Sequence, residues 1–231
     1  MRRIKGIKVI AFDADDTLWE NETYFREAER HFADLMVNYA DREETMRILY
    51  EVELRNIPVY GYGIKGFILS MIETANLLSG FRISAHEINE LMELGKAMLD
   101  KPVYLLDGVE DTLALLSQRY KLVVATKGDL LDQERKLRKS GLLRYFHHIE
   151  VMSDKHKAAY ESLMAHLDVS AHELLMVGNS LKSDIQPVIE AGAWAVHIPF
   201  HTTWQHELVD EAIESPCFFE LSNINQLEAL L

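Results

Sequence analysis

The chain is nearly devoid of cysteine. Cys217 is the only one among 231 residues, which excludes an internal disulfide framework and fits a reducing cytoplasm. Long apolar runs are also missing, and none reaches the roughly 20 residues that a membrane helix needs. The start, MRRIKGIKVIAFDADDTLW, superficially resembles a signal peptide. Its apolar run is only about six residues long, ends in aspartates and lacks a small-residue cleavage site, so it reads as a first β-strand. The chain also lacks a surplus of positive charge: 24 Lys and Arg face 37 Asp and Glu, a formal net charge of −13. That balance excludes general nucleic-acid binding, which needs a basic face. It also repels phosphorylated ligands at long range, so a site for them needs local positive charge, which a divalent cation would supply. No internal repeat, low-complexity segment or long linker is present.

What remains is an ordinary globular composition, 48% hydrophobic and 26% charged, in a length that holds one large domain or a core with a smaller partner. Val9–Phe12 continue an apolar run from Ile7 that stops at Asp13, as a buried parallel strand would. Similar runs recur at Leu122–Ala125, Leu174–Val177 and Ala193–Ile198. Helix-like or turn-like stretches precede them: Leu113–Gln118, the capping box Ser170–Glu173, and Ile185–Ala191 closed by Gly192. This alternation predicts an α/β fold with a Rossmann-like parallel sheet and right-handed crossovers. Ligands of such sheets bind beyond the carboxyl ends of the strands.

Residues 18–105 break the alternation. Phe25, Ala28, Phe32 and Met36, then Met46, Leu49 and Val52, then Phe67, Met71 and Ala75, then Ile88, Leu91, Leu94 and Met98 recur at helical spacing. These stripes predict the core of an inserted all-helical unit, with Ser84 and Glu87 starting its last helix. The expected division is 1–17 and 106–231 for the α/β core and 18–105 for the insertion. The glycine- and aromatic-rich segment 58–66 reads as a turn between inserted helices, with a loop that contacts the leaving group of a substrate as the alternative.

Asp13-Ala14-Asp15-Asp16-Thr17 follows the first strand, where acids are costly to bury unless a cation or partner compensates them. A D-x-D-x-T pattern alone is only suggestive; its place straight after a strand gives it weight. Thr126 closes the second run. Lys155 follows Ile149–Asp154, and Gly178-Asn179-Ser180, with Asp184 beyond, closes Leu174–Val177. A hydroxyl, an ammonium and two groups of acids or amides therefore converge on one crevice. Each alone has a bland reading as a turn, cap or surface lysine. All four in order are hard to attribute to turns. His197, His201 and His206 do not read as a zinc site, because Pro199 spoils helical spacing between the first two.

On these residues the chain resembles the haloacid dehalogenase superfamily over essentially its whole length. Residues 13–17 look like motif I, Thr126 motif II, Lys155 motif III and Gly178 to Asp184 motif IV, with the insertion similar to a helical type 1 cap. The resemblance implies a magnesium-dependent phosphatase of a small phosphorylated metabolite. Asp13 would be the nucleophile and form an aspartyl-phosphate. Asp15 would be the acid and base, Thr126 would hydrogen-bond the phosphoryl group, and Lys155 would neutralise it. Mg2+ would sit on Asp13, Asp184, the Asp15 carbonyl and Asn179.

Two departures stand out. Asn179 occupies the place of an acid in motif IV, and Lys127 that of an asparagine after Thr126. Lys127 would either add charge beside the phosphate or point into solvent. Lys157 rivals Lys155, which is favoured if Ser153 or Asp154 caps the next helix. Asp15 favours a phosphoryl substrate over a halogenated acid or a phosphonate, since the resemblance implies that those enzymes lack this acid. A phosphomutase, or a non-catalytic phospho-ligand binder suggested by Asn179, remains an alternative. Substrate identity and oligomeric state have no signal in the sequence.

Overall fold

The computed structural model describes residues 3–209 and 212–231. The chain divides into two compact units. One comprises Met1–Glu22, Val103–Lys127 and Gln133–Leu231, the other Thr23–Pro102 and Gly128–Asp132.

The first unit is built on a six-stranded sheet. Its strands are β1 (Val9–Phe12), β2 (Lys121–Lys127), β3 (His148–Met152), β4 (Leu174–Gly178), β5 (Trp194–His197) and β6 (Phe218–Glu220). They pair in the order β3-β2-β1-β4-β5-β6, every pair parallel. This is the α/β Rossmann-like architecture expected from the alternating runs. Phe12 lies opposite Val124 on one side and Val177 on the other. Asp13, Thr126 and Gly178 follow these three residues within one or two positions, so the register itself brings them to one end of the sheet.

Both faces of β1 are dry. Ile10 and Phe12 join one core with Val124, Leu175 and Val177. Val9 and Ala11 join the other with Val123, Ala125, Leu174 and Met176. Alternate side chains on opposite faces are the geometry of a strand. Val9, Ile10 and Phe12 are fully buried, and each contributes on the order of 1.5–3 kcal/mol. That burial offsets the cost of an acid placed at the strand's end. β6, a partly exposed edge strand of three residues, has no counterpart among the expected runs.

The second unit holds α1 (Glu22–Leu35) from Thr23 onward, α2 (Arg42–Tyr60), α3 (Ile64–Leu78) and α4 (Ala85–Asp100). Asp41 starts α2 by accepting the Glu44 N–H at 2.8 Å, and the Ser84–Glu87 capping box starts α4. The apolar stripes meet as expected: Phe32, Met36, Leu49, Phe67, Met71, Leu91 and Met98 form one buried cluster. Segment 58–66 is more helical than its composition suggests. Pro58–Tyr60 finish α2 and Ile64 already opens α3, leaving three residues for the turn. The turn is tight enough that a Cβ on Gly66 would lie 2.9 Å from the Gly61 carbonyl oxygen.

The boundary falls inside the expected 18–105. Leu18 and Trp19 are fully buried in the sheet's own core. Leu106 N–H donates to the Leu18 carbonyl and Glu20 N–H to that of Tyr104, both at 3.0 Å. These residues therefore stay with the first unit. The sheet is covered by α5 (Val109–Leu116), α6 (Leu130–Lys139), α7 (Lys157–Leu167), α8 (Gln186–Glu190) and α9 (Leu227–Leu230). Residues of α5, α6 and α9 pack on the Phe12 face, those of α7 and α8 on the Ala11 face. Among the described residues, no helix is long and apolar enough to cross a membrane.

Candidate active site

Asp13 leaves β1 with its N–H on the Val177 carbonyl, 2.9 Å away. The chain then turns sharply. The Ala14 carbonyl accepts from Leu18 N–H at 2.8 Å, and Asp16 adopts the left-handed φ of 61°. A short polar side chain tolerates that conformation better than a bulky one. The turn folds Thr17 back, so that its hydroxyl reaches Asp13 Oδ2 at 3.3 Å and Asn179 Oδ1 at 3.1 Å.

Lys155 is the cation of this centre. Its ammonium lies 2.5 Å from Asp13 Oδ1 and 2.6 Å from Asp184 Oδ1, with all three residues buried. The reason lies just downstream. His156, not the expected Ser153 or Asp154, caps α7, its Nδ1 accepting the Ala159 N–H at 3.2 Å. Lys155 therefore precedes the helix and is free to turn inward, whereas Lys157 opens it, is exposed and faces Glu161 at 3.7 Å. Tyr160, also fully buried, donates its hydroxyl to the Ser183 carbonyl at 2.9 Å.

Asp184 sits in a widened helical turn, Leu181–Ile185, a distortion found frequently at functional sites. Its Oδ2 accepts the Ser180 N–H at 3.0 Å. Burial pushes the Asp13 carboxyl up to about 7; Lys155 opposes this, while Asp184 and Asp15 act in the same direction as burial. Burial disfavours the Lys155 ammonium too, but Asp13 and Asp184 outweigh it and hold its pKa well above the ordinary value. The lysine thus stays charged and keeps two carboxylates together that would otherwise repel each other.

Thr126 is buried at the end of β2, and its hydroxyl donates to the Lys127 carbonyl at 3.2 Å. Lys127 does not point into solvent. Its ammonium is mostly buried, 2.8 Å from Ser183 Oγ and 2.6 Å from Glu207 Oε1. Glu207 also accepts from the hydroxyls of Ser183, at 2.5 Å, and Ser180. Burial would raise the Glu207 carboxyl, but Lys127 and the two serines hold it down at about 2. One acid therefore ties the residue after Thr126 to the turn that carries Asp184. Nothing in the sequence singled it out, since it lies 80 residues from Lys127.

Asp15 is engaged by groups the sequence did not flag. Trp19 Nε1–H donates to Oδ1 at 2.7 Å and Gln133 Nε2–H to Oδ2 at 2.8 Å. Lys136 Nζ spans both oxygens at 2.6 and 2.7 Å. Of the histidines, His197 contacts Glu220 and the Asn179 carbonyl, each at 3.0 Å. His201 contacts Thr202, and His206 lies beside Lys182.

The centre thus offers two buried carboxylates that converge on one cationic point, an amide oxygen on Asn179 and a buried hydroxyl on Thr126. Among the described residues, no group of three or more His, Cys, Asp or Glu side chains stands in metal-holding geometry. The donors expected from the sequence, Asp13, Asp184, Asn179 and the Asp15 carbonyl, are all oxygen. That is the chemistry of a hard divalent cation such as Mg2+, which retains waters and needs few protein ligands.

A family model of haloacid dehalogenase-like hydrolases matches residues 7–192. A solved hydrolase of that family from Xanthomonas campestris is 37% identical, with a TM-score of 0.86, over 100% of this chain and 96% of its own. A magnesium-bound protein from Bacillus subtilis, described as a hydrolase of the same family, is 19% identical (TM-score 0.69, 98% and 99% covered). A 2-haloacid dehalogenase from Pseudomonas syringae is 23% identical (TM-score 0.66, 97% of each chain). The last two share the fold, as does a protein described as a phosphatase of this family. No curated protein matches the chain.

Proposed function

Because the chain belongs to the haloacid dehalogenase-like hydrolases, whose solved neighbours include both dehalogenases and phosphatases, we propose that it is a magnesium-dependent phosphatase of a small phosphorylated metabolite. The observation that carries this choice is Asp15, a second acid two residues beyond Asp13. Displacing halide from carbon needs no proton donor. Displacing an alkoxide from phosphorus does, and general acid catalysis of such a step contributes roughly 10²–10⁴-fold.

In this reading Asp13 attacks phosphorus, the bond to the leaving oxygen breaks, and Asp15 gives that oxygen its proton. Water then attacks the aspartyl-phosphate while Asp15 takes up a proton, releasing phosphate and restoring the Asp13 carboxylate. Lys155 neutralises charge beside the nucleophile. Thr126 hydrogen-bonds the phosphoryl group, and Lys127 adds positive charge near it. A Mg2+ ion on Asp13, Asp184, Asn179 and the Asp15 carbonyl would supply compensation for phosphoryl charge.

A screen of phosphorylated metabolites and p-nitrophenyl phosphate, with and without Mg2+, tests the proposal. Metal-dependent release of phosphate is expected. Release of halide from 2-haloacids with no release of phosphate would assign the chain to the dehalogenases instead. Stoichiometric binding of a phosphate ester without turnover would make it a binder.

A further inference from the structure

An acid that must meet the leaving oxygen in one half-reaction and a water in the next needs a fixed direction, and Asp15 sits on a loop. Four hydrogen-bond contacts from three side chains converge on its two oxygens. Trp19 donates from an indole that is fully buried in the sheet core, so this contact cannot drift. Lys136, on α6, spans both oxygens almost equally and also reaches Asn21 Oδ1 at 3.2 Å. Gln133, one turn earlier on the same helix, places its Nε2 2.8 Å from both Asp15 Oδ2 and the Lys127 carbonyl. Its own Oε1 is buried without a hydrogen-bond partner among the described residues. A buried amide oxygen left bare is costly, so both donor contacts are kept at the expense of the acceptor. The Lys127 contact further ties Asp15 to the strand end that bears Thr126.

We infer that Lys136, assisted by Gln133 and Trp19, is the positioning residue that aims the Asp15 carboxyl at the leaving group; the inference rests on the phosphatase reading above. It is separable from a structural role because kcat/KM reports the half-reaction in which the leaving oxygen departs, and only there does the need for Asp15's proton depend on the ester. Proton delivery matters most when the leaving group is a poor one, so losing Asp15's aim slows such esters selectively.

The test is kcat/KM of Lys136→Met, Lys136→Arg and wild type on 2,4-dinitrophenyl, 4-nitrophenyl and phenyl phosphate with saturating Mg2+. The three esters are close in shape and differ in the acidity of their leaving groups. Lys136→Met is expected to lose about tenfold or more on phenyl phosphate relative to 2,4-dinitrophenyl phosphate, and Lys136→Arg to recover part of the difference. In an Asp15→Asn background the same substitution should add little. An equal loss on all three esters, or no loss, overturns the inference while leaving the phosphatase reading standing. Should wild type release phosphate from none of these esters nor from any phosphorylated metabolite, the phosphatase reading itself falls and takes this inference with it. If Lys136→Met is unfolded by circular dichroism, the arginine variant decides: it must show the same leaving-group selectivity in smaller measure.

Discussion

A side-chain carbon on Gly178 would stand 2.2 Å from Asp184 Oδ2. No Cβ contact is that short, so the absence of a side chain at the end of β4 is what lets Asp184 face Asp13 and Lys155. Gly178→Ala should therefore push Asp184 away and raise the Mg2+ concentration for half-activity about as much as Asp184→Ala does. Asn179→Ala should raise it less, since Asp184 brings the charge and Asn179 only a dipole. Metal titrations of the three variants, read as phosphate release, check the order. If Asn179→Ala has the largest effect, the ligand assignment in this turn is wrong.

Lys155 is the only basic side chain found in contact with the Asp13 and Asp184 carboxylates among the described residues. Lys155→Met would leave two buried carboxylates facing each other without it. Breaking a buried pair in this way costs about 3–5 kcal/mol, which should appear as a lower urea midpoint. Added Mg2+ should restore more stability to this variant than to wild type, because the carboxylates it binds are no longer neutralised. Equal stabilisation of both proteins by Mg2+ would contradict that picture.

Glu207 gives a pH-dependent signature. Its folded pKa of about 2 lies below the ordinary 4.5, so its contribution is complete above 4.5 and is lost as pH falls toward 2. Glu207→Gln should be less stable than wild type at pH 7, by on the order of 2 kcal/mol. The gap should narrow between pH 4.5 and 2. Urea midpoints of the two proteins at pH 7, 5 and 3 read it directly. A gap independent of pH would mean that the acid's charge contributes nothing to holding Lys127 and the serines.

The sheet was legible where it is dry. Val9–Phe12 and Leu174–Val177 are buried on both faces, so their sequences are unbroken apolar runs. β3 was weaker, because half-exposed His148 and Glu150 interrupt it. β6 was invisible, being a short edge strand. The helix starts at Ser84 and Ser170 were readable because a capping box is local. The start of α7 was not, because a histidine cap competed with the commoner Ser153 and Asp154. The residues at the strand ends could be listed from the chain order alone. Their partners could not: Gln133 and Lys136 lie 118 and 121 residues from Asp15, and side-chain pairs at such separations leave no local pattern.

The central claim is that Asp13 attacks phosphorus, and the most direct measurement compares phosphate release by purified wild type and Asp13→Asn on the best ester from the screen, with Mg2+. Asparagine conserves volume and leaves Lys155 paired with Asp184, so the variant should fold with a melting point near that of wild type. The account predicts that its kcat falls by at least about 10³-fold, as loss of a nucleophile does. A folded, contamination-free Asp13→Asn that keeps more than a small fraction of wild-type turnover would contradict it.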